Sequence, residues 1–508
     1  MKTKGAASSA WPFHGGTAFV REVLPNAATA TAIAAVVVFA GAWLAPRLGV
    51  AEYDYLVGAG LVVGAAGAAF LVFGPSWIII SLFLAKMILG HLFLSMYIFP
   101  FAGVEWHPRE FWLFLLLAHG AVKLITGRAA IRPDLTHYFF YLYCFYFVFI
   151  AAVGLWRQPN MTEIIKECRF PIFLSTYLVF ATCVKDRREL RRYARALLAL
   201  TTLIALGACA FFAYTFVTGN VINTQNVYGE YVRRQIGPRL LQSVRPNGHL
   251  FYEVCFVVIA ALFFCRETTR RVKALYLLLL GVFGCAIVIT MMRTAYVALA
   301  CSLAILVFIS LPRGMRWLLV FVGVLGVVLV ALALGAQLYE STAQQLPDLE
   351  VSLKARVEEM RGAWDTFLRH PLTGAGMGSS FEGMGWVAKQ STIAYGQTTY
   401  QTVHNVWMYY LFKGGIVGMA LVLAGLGGIL ARAYLTIERI QDARDRCLLR
   451  GLVAATAGQL VASLAMPRLT YPIGAVFLAM MTCAFFLLAR QPMAETPVGP
   501  EDRPCCGY

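Results

Sequence analysis

ALYLLLLGVFGCAIVITMMRTAYVALACSLAILVFISL, residues 274–311, is an apolar run broken by a single formal charge, Arg293. One helix needs roughly 20 such residues to cross a hydrocarbon core about 30 Å thick. Helix is also the open-chain form that satisfies every backbone polar group inside lipid. The run therefore holds two crossings, 273–292 and 295–311, with Arg293 at the turn between them.

The same pattern extends in both directions. Further spans are expected near 27–46, 55–74, 76–98, 110–126, 137–155, 170–184, 196–218, 250–265, 317–336, 405–431, 450–466 and 472–490. Hydrophobic residues make up 59% of the 508 and charged ones only 14%, where a soluble domain carries about 25%. The expected fold is an all-α polytopic membrane protein of about 12–14 transmembrane helices. Residues 1–26 hold no apolar run ending in a small-residue cleavage site, so the first span is expected to anchor itself. The twelve cysteines fall mostly inside apolar spans and form neither a disulfide framework nor a metal-binding spacing. They read as small packing residues.

Arginine sets the orientation. The segments 185–195, 266–273 and 431–450 are rich in basic residues, and with Arg313 and Arg316 they alternate correctly to be cytoplasmic. The net charge of +17 is thus loop bias, and nucleic acid is not an expected partner. Parity puts both termini inside and the long polar stretch 337–403 outside a bacterial inner membrane. The chain divides into a cytoplasmic segment 1–26, helices 27–218, a core 219–432 carrying the outer segment 337–403 as a lid, helices 433–491, and a tail 492–508. In the lid, Leu349, Leu353, Val357, Met360, Trp364 and Phe367 recur at helical spacing, which predicts an amphipathic helix against the bundle or the membrane interface. HPLTGAGMGSSFEGMGW (370–386) then stops that helix and forms a glycine-dense loop.

Arg245, Arg293, His404 and Arg468 all collect at the outer ends of late spans. Ionisable groups at membrane depth are costly unless they face water, a partner or a ligand, so four on one side mark a site. Guanidinium groups there suit a phosphate or pyrophosphate. Arg239, with Arg233 and Arg234, adds to an anion-attracting mouth. His404 has the chemistry to accept a proton from a hydroxyl. Taken singly, each has a bland reading: an arginine snorkels to the interface, a histidine sits at a helix start, and aromatics such as Trp386, Tyr395 and Tyr400 form an interfacial belt.

Three elements carry a family resemblance: Arg293 in its short outer loop, RGAWDTFLRHPLTGAGMGSSF (361–381), and HNVWMYYLFKGGIVG (404–418). Together with Arg245 they make the stretch 245–418 resemble the shared domain of bacterial O-antigen ligases and O-antigen or exopolysaccharide polymerases. Met292 and Thr294 stand where that family usually shows Ser and Gly. The resemblance implies a GT-C-like membrane glycosyltransferase acting in surface polysaccharide assembly without metal or other cofactor. It would move a glycan from undecaprenyl diphosphate to a sugar hydroxyl, of lipid A core or of a growing glycan, at the periplasmic face. His404, Arg293 and Arg245 would be catalytic. Arg468, Arg239, Arg361, Gly374, Gly376, Asn405, Trp386 and Tyr400 would bind substrate, the glycines by letting the lid approach the sugar.

Two alternatives stay open. A metal site could draw on Glu52, Asp54, Glu105 or Glu110, although no carboxylate pair has ligand spacing. A transporter or flippase of lipid-linked glycan would use Lys86, His91 and Glu253 in mid-span, although no internal repeat is apparent.

Overall fold

A computed structural model describes residues 76–89, 99–101, 104–106, 108–126, 134–157, 161–219, 230–236, 239–245, 247–290, 292–312, 315, 347–389, 392–464 and 468–489. The expected spans at 27–46, 55–74 and 317–336 lie outside these residues, as do both terminal segments, His91, Glu52 and Asp54. The helices are α1 (Ser76–Leu89), α2 (Pro108–Ile125), α3 (Leu135–Arg157), α4 (Met161–Cys168), α5 (Thr176–Cys183), α6 (Arg187–Thr218), α7 (Leu250–Phe263), α8 (Arg270–Ile289), α9 (Arg293–Ser310), α10 (Pro347–Arg369), α11 (Val406–Thr436), α12 (Ala443–Ala462) and α13 (Pro472–Ala489). Among the described residues five segments are long and apolar enough to cross a membrane: Leu135–Arg157, Arg187–Thr218, Arg270–Ile289, Val406–Arg439 and Pro472–Ala489. The protein is an all-α polytopic membrane protein.

The chain separates into two compact units. One comprises residues 1–85 and 109–130, the other 86–108 and 131–508. In the first, His119 bonds Ser76 through Nε2 and Oγ at 2.9 Å. In the second, α11 packs along α3, and α12 packs against α7 and α9. Small residues allow the close crossings. Gly425 lies over the Tyr143 backbone, and Gly458 lies so close to Ser302 that an added Cβ would fall 1.9 Å from Oγ. Such small-residue contacts drive helix association where lipid removes the usual hydrophobic gain.

Three points differ from the sequence reading. The basic stretch 185–195 is not a loop but the capped start of α6: Asp186 accepts from the Glu189 N–H, and Arg187 and Arg191 reach Asp445 at 3.0 and 2.8 Å. Charge keeps a helix end in water without unwinding it, so a helix runs on past its span. Secondly, three antiparallel hairpins occur among the described residues: β1–β2 (Phe99–Phe101, Val104–Trp106), β3–β4 (Glu230–Ile236, Arg239–Arg245) and β5–β6 (Phe381–Lys389, Thr392–Tyr400). Thirdly, α10 forms as expected but turns Glu359, Ala363 and Phe367 inward, leaving Val357, Met360, Trp364 and Leu368 exposed. Phe367 thus leaves the expected stripe, while the exposed apolar residues suit the interfacial orientation, one of the two expected.

Candidate functional site

α11 begins with a cap. Asn405 adopts an extended backbone, and its Oδ1 accepts from the N–H groups of Trp407 and Met408 at 2.9 and 3.1 Å. The Val406 N–H donates to the Ser463 carbonyl at 2.9 Å, and Trp407 Nε1 donates to the Leu460 carbonyl at 3.1 Å, so the helix start is pinned to the end of α12. His404 precedes the cap. Its backbone N–H donates to Glu359 Oε1 at 2.8 Å, and its Nδ1 lies 2.7 Å from Glu359 Oε2. The Glu359 side chain is 4% exposed and that of His404 53%. A buried carboxylate thus grips a half-exposed imidazole through both oxygens.

The hairpin holds α10 in place for this contact. Gly362 lies under it: an added Cβ would come within 2.7 Å of the Phe381 ring and 2.8 Å of the Glu382 carbonyl. Phe381 stacks on Tyr400 and meets Phe412 edge-on, with ring centroids 5.5 and 5.3 Å apart.

The glycine loop 370–380 is inserted into α11. At Gly415 (φ 62°) the helix kinks, which takes the Ile416 and Val417 N–H groups from their helical acceptors, the carbonyls of Phe412 and Lys413. The loop supplies the missing partners on both sides. Ile416 and Val417 donate to the Pro371 and Leu372 carbonyls at 2.9 and 3.1 Å, while Ala375 and Gly376 donate to the Phe412 and Lys413 carbonyls, each at 2.9 Å. Irregular backbone is tolerated at membrane depth when protein satisfies it in this way. On the opposite side Met377 donates to the Ile150 carbonyl at 2.8 Å, and Arg157 at the end of α3 binds Gly374 O and Thr373 Oγ1 at 2.7 and 2.8 Å.

Under the loop lies a buried ion pair. Lys413 Nζ is 2.5 Å from Glu167 Oε1 and donates to the Ser379 carbonyl at 2.7 Å; the other Glu167 oxygen accepts from Gly378 N. Burial pushes the Glu167 carboxyl up, against the pull of the Lys413 ammonium.

The expected site residues separate into those exposed at the surface, those engaged within the protein and those whose side chains are not described. Arg245 closes β4 and donates from Nε to the Thr290 carbonyl at 3.1 Å, beside the turn at which Arg293 opens α9. Those two positions are therefore brought to one place. Arg361 is exposed on α10. The side chains of Arg293, Arg239, Arg468 and Trp386 lie outside the described residues. Gly374 and Gly376, expected to approach a sugar, are instead buried against backbone: a Cβ on the first would sit 2.3 Å from Lys413 O, and on the second 2.4 Å from Gly154 N. The loop is a wedge rather than an open lid. Asn405 is engaged in capping α11, and Phe381 covers one face of the half-buried Tyr400.

Sequence reasoning missed Glu359, Glu167, Lys413 and Arg157. Glu359 had a signal: with Ala363 and Phe367 it forms a row at four-residue spacing, the row that is buried. The other three carry no periodic mark. Glu253, weighed only as a transporter residue, is buried in α7 against Gln459 of α12, one turn from the Ser463 that pins α11.

Residues 274–423 match the family model described as O-antigen ligase. The resemblance of this segment to the O-antigen ligase superfamily therefore holds, and it supports a ligase- or polymerase-type membrane function. No curated protein matches the chain. Among solved structures, a chain from "Structural coordination of polymerization and crosslinking by a peptidoglycan synthase complex" is similar at 15% identity and a TM-score of 0.38, over 70% of this chain and 98% of that one.

Proposed function

We propose that the protein is a GT-C-like glycosyltransferase that moves a glycan from undecaprenyl diphosphate to a sugar hydroxyl at the periplasmic face of the bacterial inner membrane. The observation that carries this reading is the His404–Glu359 contact within the matched segment. His404, 53% exposed, precedes one end of α11, while Arg432, which pairs with Asp134, lies toward the other, and this separation supports reading His404 as the base.

His404 takes the proton of the acceptor hydroxyl as its oxygen bonds the anomeric carbon. The C–O bond to the diphosphate breaks, and the electron pair leaves on the phosphate oxygen. Arg245 and Arg293 stabilise the charge that grows there, the type of electrostatic term that contributes most to group transfer. Membrane-bound donor and fixed acceptor hydroxyl also convert a bimolecular encounter into an oriented one.

Purified protein in liposomes, given undecaprenyl-diphosphate-linked glycan and either lipid A core or a lipid-linked repeat unit as acceptor, is expected to join donor to one of these acceptors. Glycan on lipid A core identifies a ligase, and lengthened lipid-linked chains a polymerase. Translocation of intact donor with no new glycosidic bond overturns the reading.

A further inference from the structure

We propose that Glu359 is a positioning residue that holds the His404 proton on Nδ1, so that Nε2 presents its lone pair outward as the base. The proposal rests on the reading of His404 as the group that serves the acceptor. A backbone N–H only donates, so the His404 N–H contact fixes Glu359 Oε1 as an acceptor and sets the carboxylate plane. The second oxygen, 2.7 Å from Nδ1, is then placed to accept Nδ1–H. Nε2 is on the opposite edge of the ring, and the side chain is 53% exposed. Burial strengthens a charge-assisted bond of this kind, and the carboxylate stabilises the imidazolium formed when the acceptor proton arrives.

The two partners come from different elements. Glu359 belongs to α10, and His404 follows the wedge loop and the β5–β6 hairpin. The competent histidine is therefore assembled only when the outer segment has docked, with Gly362 seated under Phe381.

Glu359→Gln keeps the shape and replaces one acceptor oxygen by an NH2 donor, which favours the Nε2–H tautomer. Nitrogen-15 NMR of histidine-labelled full-length protein in liposomes, with the His404 signal identified by its loss in His404→Gln, is expected to show Nδ1–H in the wild type and Nε2–H in Glu359→Gln. Turnover in Glu359→Gln should fall about 10²- to 10⁴-fold, the range general-base catalysis contributes, with KM for the lipid-linked donor unchanged. An Nε2–H tautomer in the wild type, or full turnover in Glu359→Gln, overturns the proposal. If that variant does not fold, the wild-type spectrum alone decides. A wild type with the Nδ1–H signature but no glycan transfer overturns the proposed function instead, and leaves the positioning contact standing.

Discussion

His404 and Arg293 are asked to do different work, and their variants should fail differently. His404→Ala removes the base but none of the groups assigned to the diphosphate. Its turnover should drop about 10²- to 10⁴-fold, while binding of lipid-linked donor, measured by co-purification, stays near wild type. Arg293→Ala removes a guanidinium from the growing negative charge, and about 10²- to 10³-fold in turnover is the scale of losing one such electrostatic contact. Arg293→Lys should recover part of that loss, because a point charge remains while the paired hydrogen bonds do not. Donor binding lost in His404→Ala, or full activity in Arg293→Ala, would reverse the assignment. These two residues were legible in the sequence because a charge stands out against an apolar background. Glu359 carried only the weak mark of its four-residue row with Ala363 and Phe367, and among seven acidic residues in the surrounding segment it had no contrast of charge.

The wedge loop is where one element decides the geometry of another. Among the described residues five glycines have positive φ, including Gly376 (φ 85°) and Gly219 (φ 70°), and their surroundings differ. A Cβ on Gly219 meets nothing within 4 Å, whereas on Gly376 it meets the Gly154 backbone at 2.4 Å. Gly219→Ala should therefore cost only the left-handed backbone penalty, roughly 1–2 kcal/mol. Gly376→Ala adds overpacking of about 1–3 kcal/mol, because neither backbone can retreat. Thermal unfolding in detergent should rank Gly376→Ala clearly below Gly219→Ala, and equal midpoints would mean the loop is not wedged. The run TGAGMG announced a turn-rich loop in the sequence, but not its destination. The deciding events, a kink at Gly415 and four backbone bonds exchanged between loop and helix, join positions some forty residues apart that share no local pattern.

At the scale of the whole molecule, the arginine clusters and the His404 end of α11 should lie on opposite sides of one membrane. Ser380 is exposed at the end of the wedge loop. A cysteine placed there by Ser380→Cys, in a variant whose native thiols are replaced, should react with a membrane-impermeant maleimide in intact spheroplasts. Labelling only after the membrane is opened would invert the topology. The arginines at the other end are matched by acids: Arg187 and Arg191 to Asp445, Arg450 to Glu438, Arg432 to Asp134. Loop bias counts such residues for orientation, and the structure uses them also to tie helix ends together. The sequence by itself determined a helical membrane protein, the approximate positions of five spans among the described residues and the segment that resembles the O-antigen ligases, because lipid imposes length and apolarity on each helix independently of its neighbours. Only the tertiary structure decided that the glycine loop is a wedge, that Lys413 is paired with Glu167, and that His404 is held by Glu359. Those contacts join residues distant in the chain, and burial and hydrogen-bond geometry are properties of the packed helices, not of any single span.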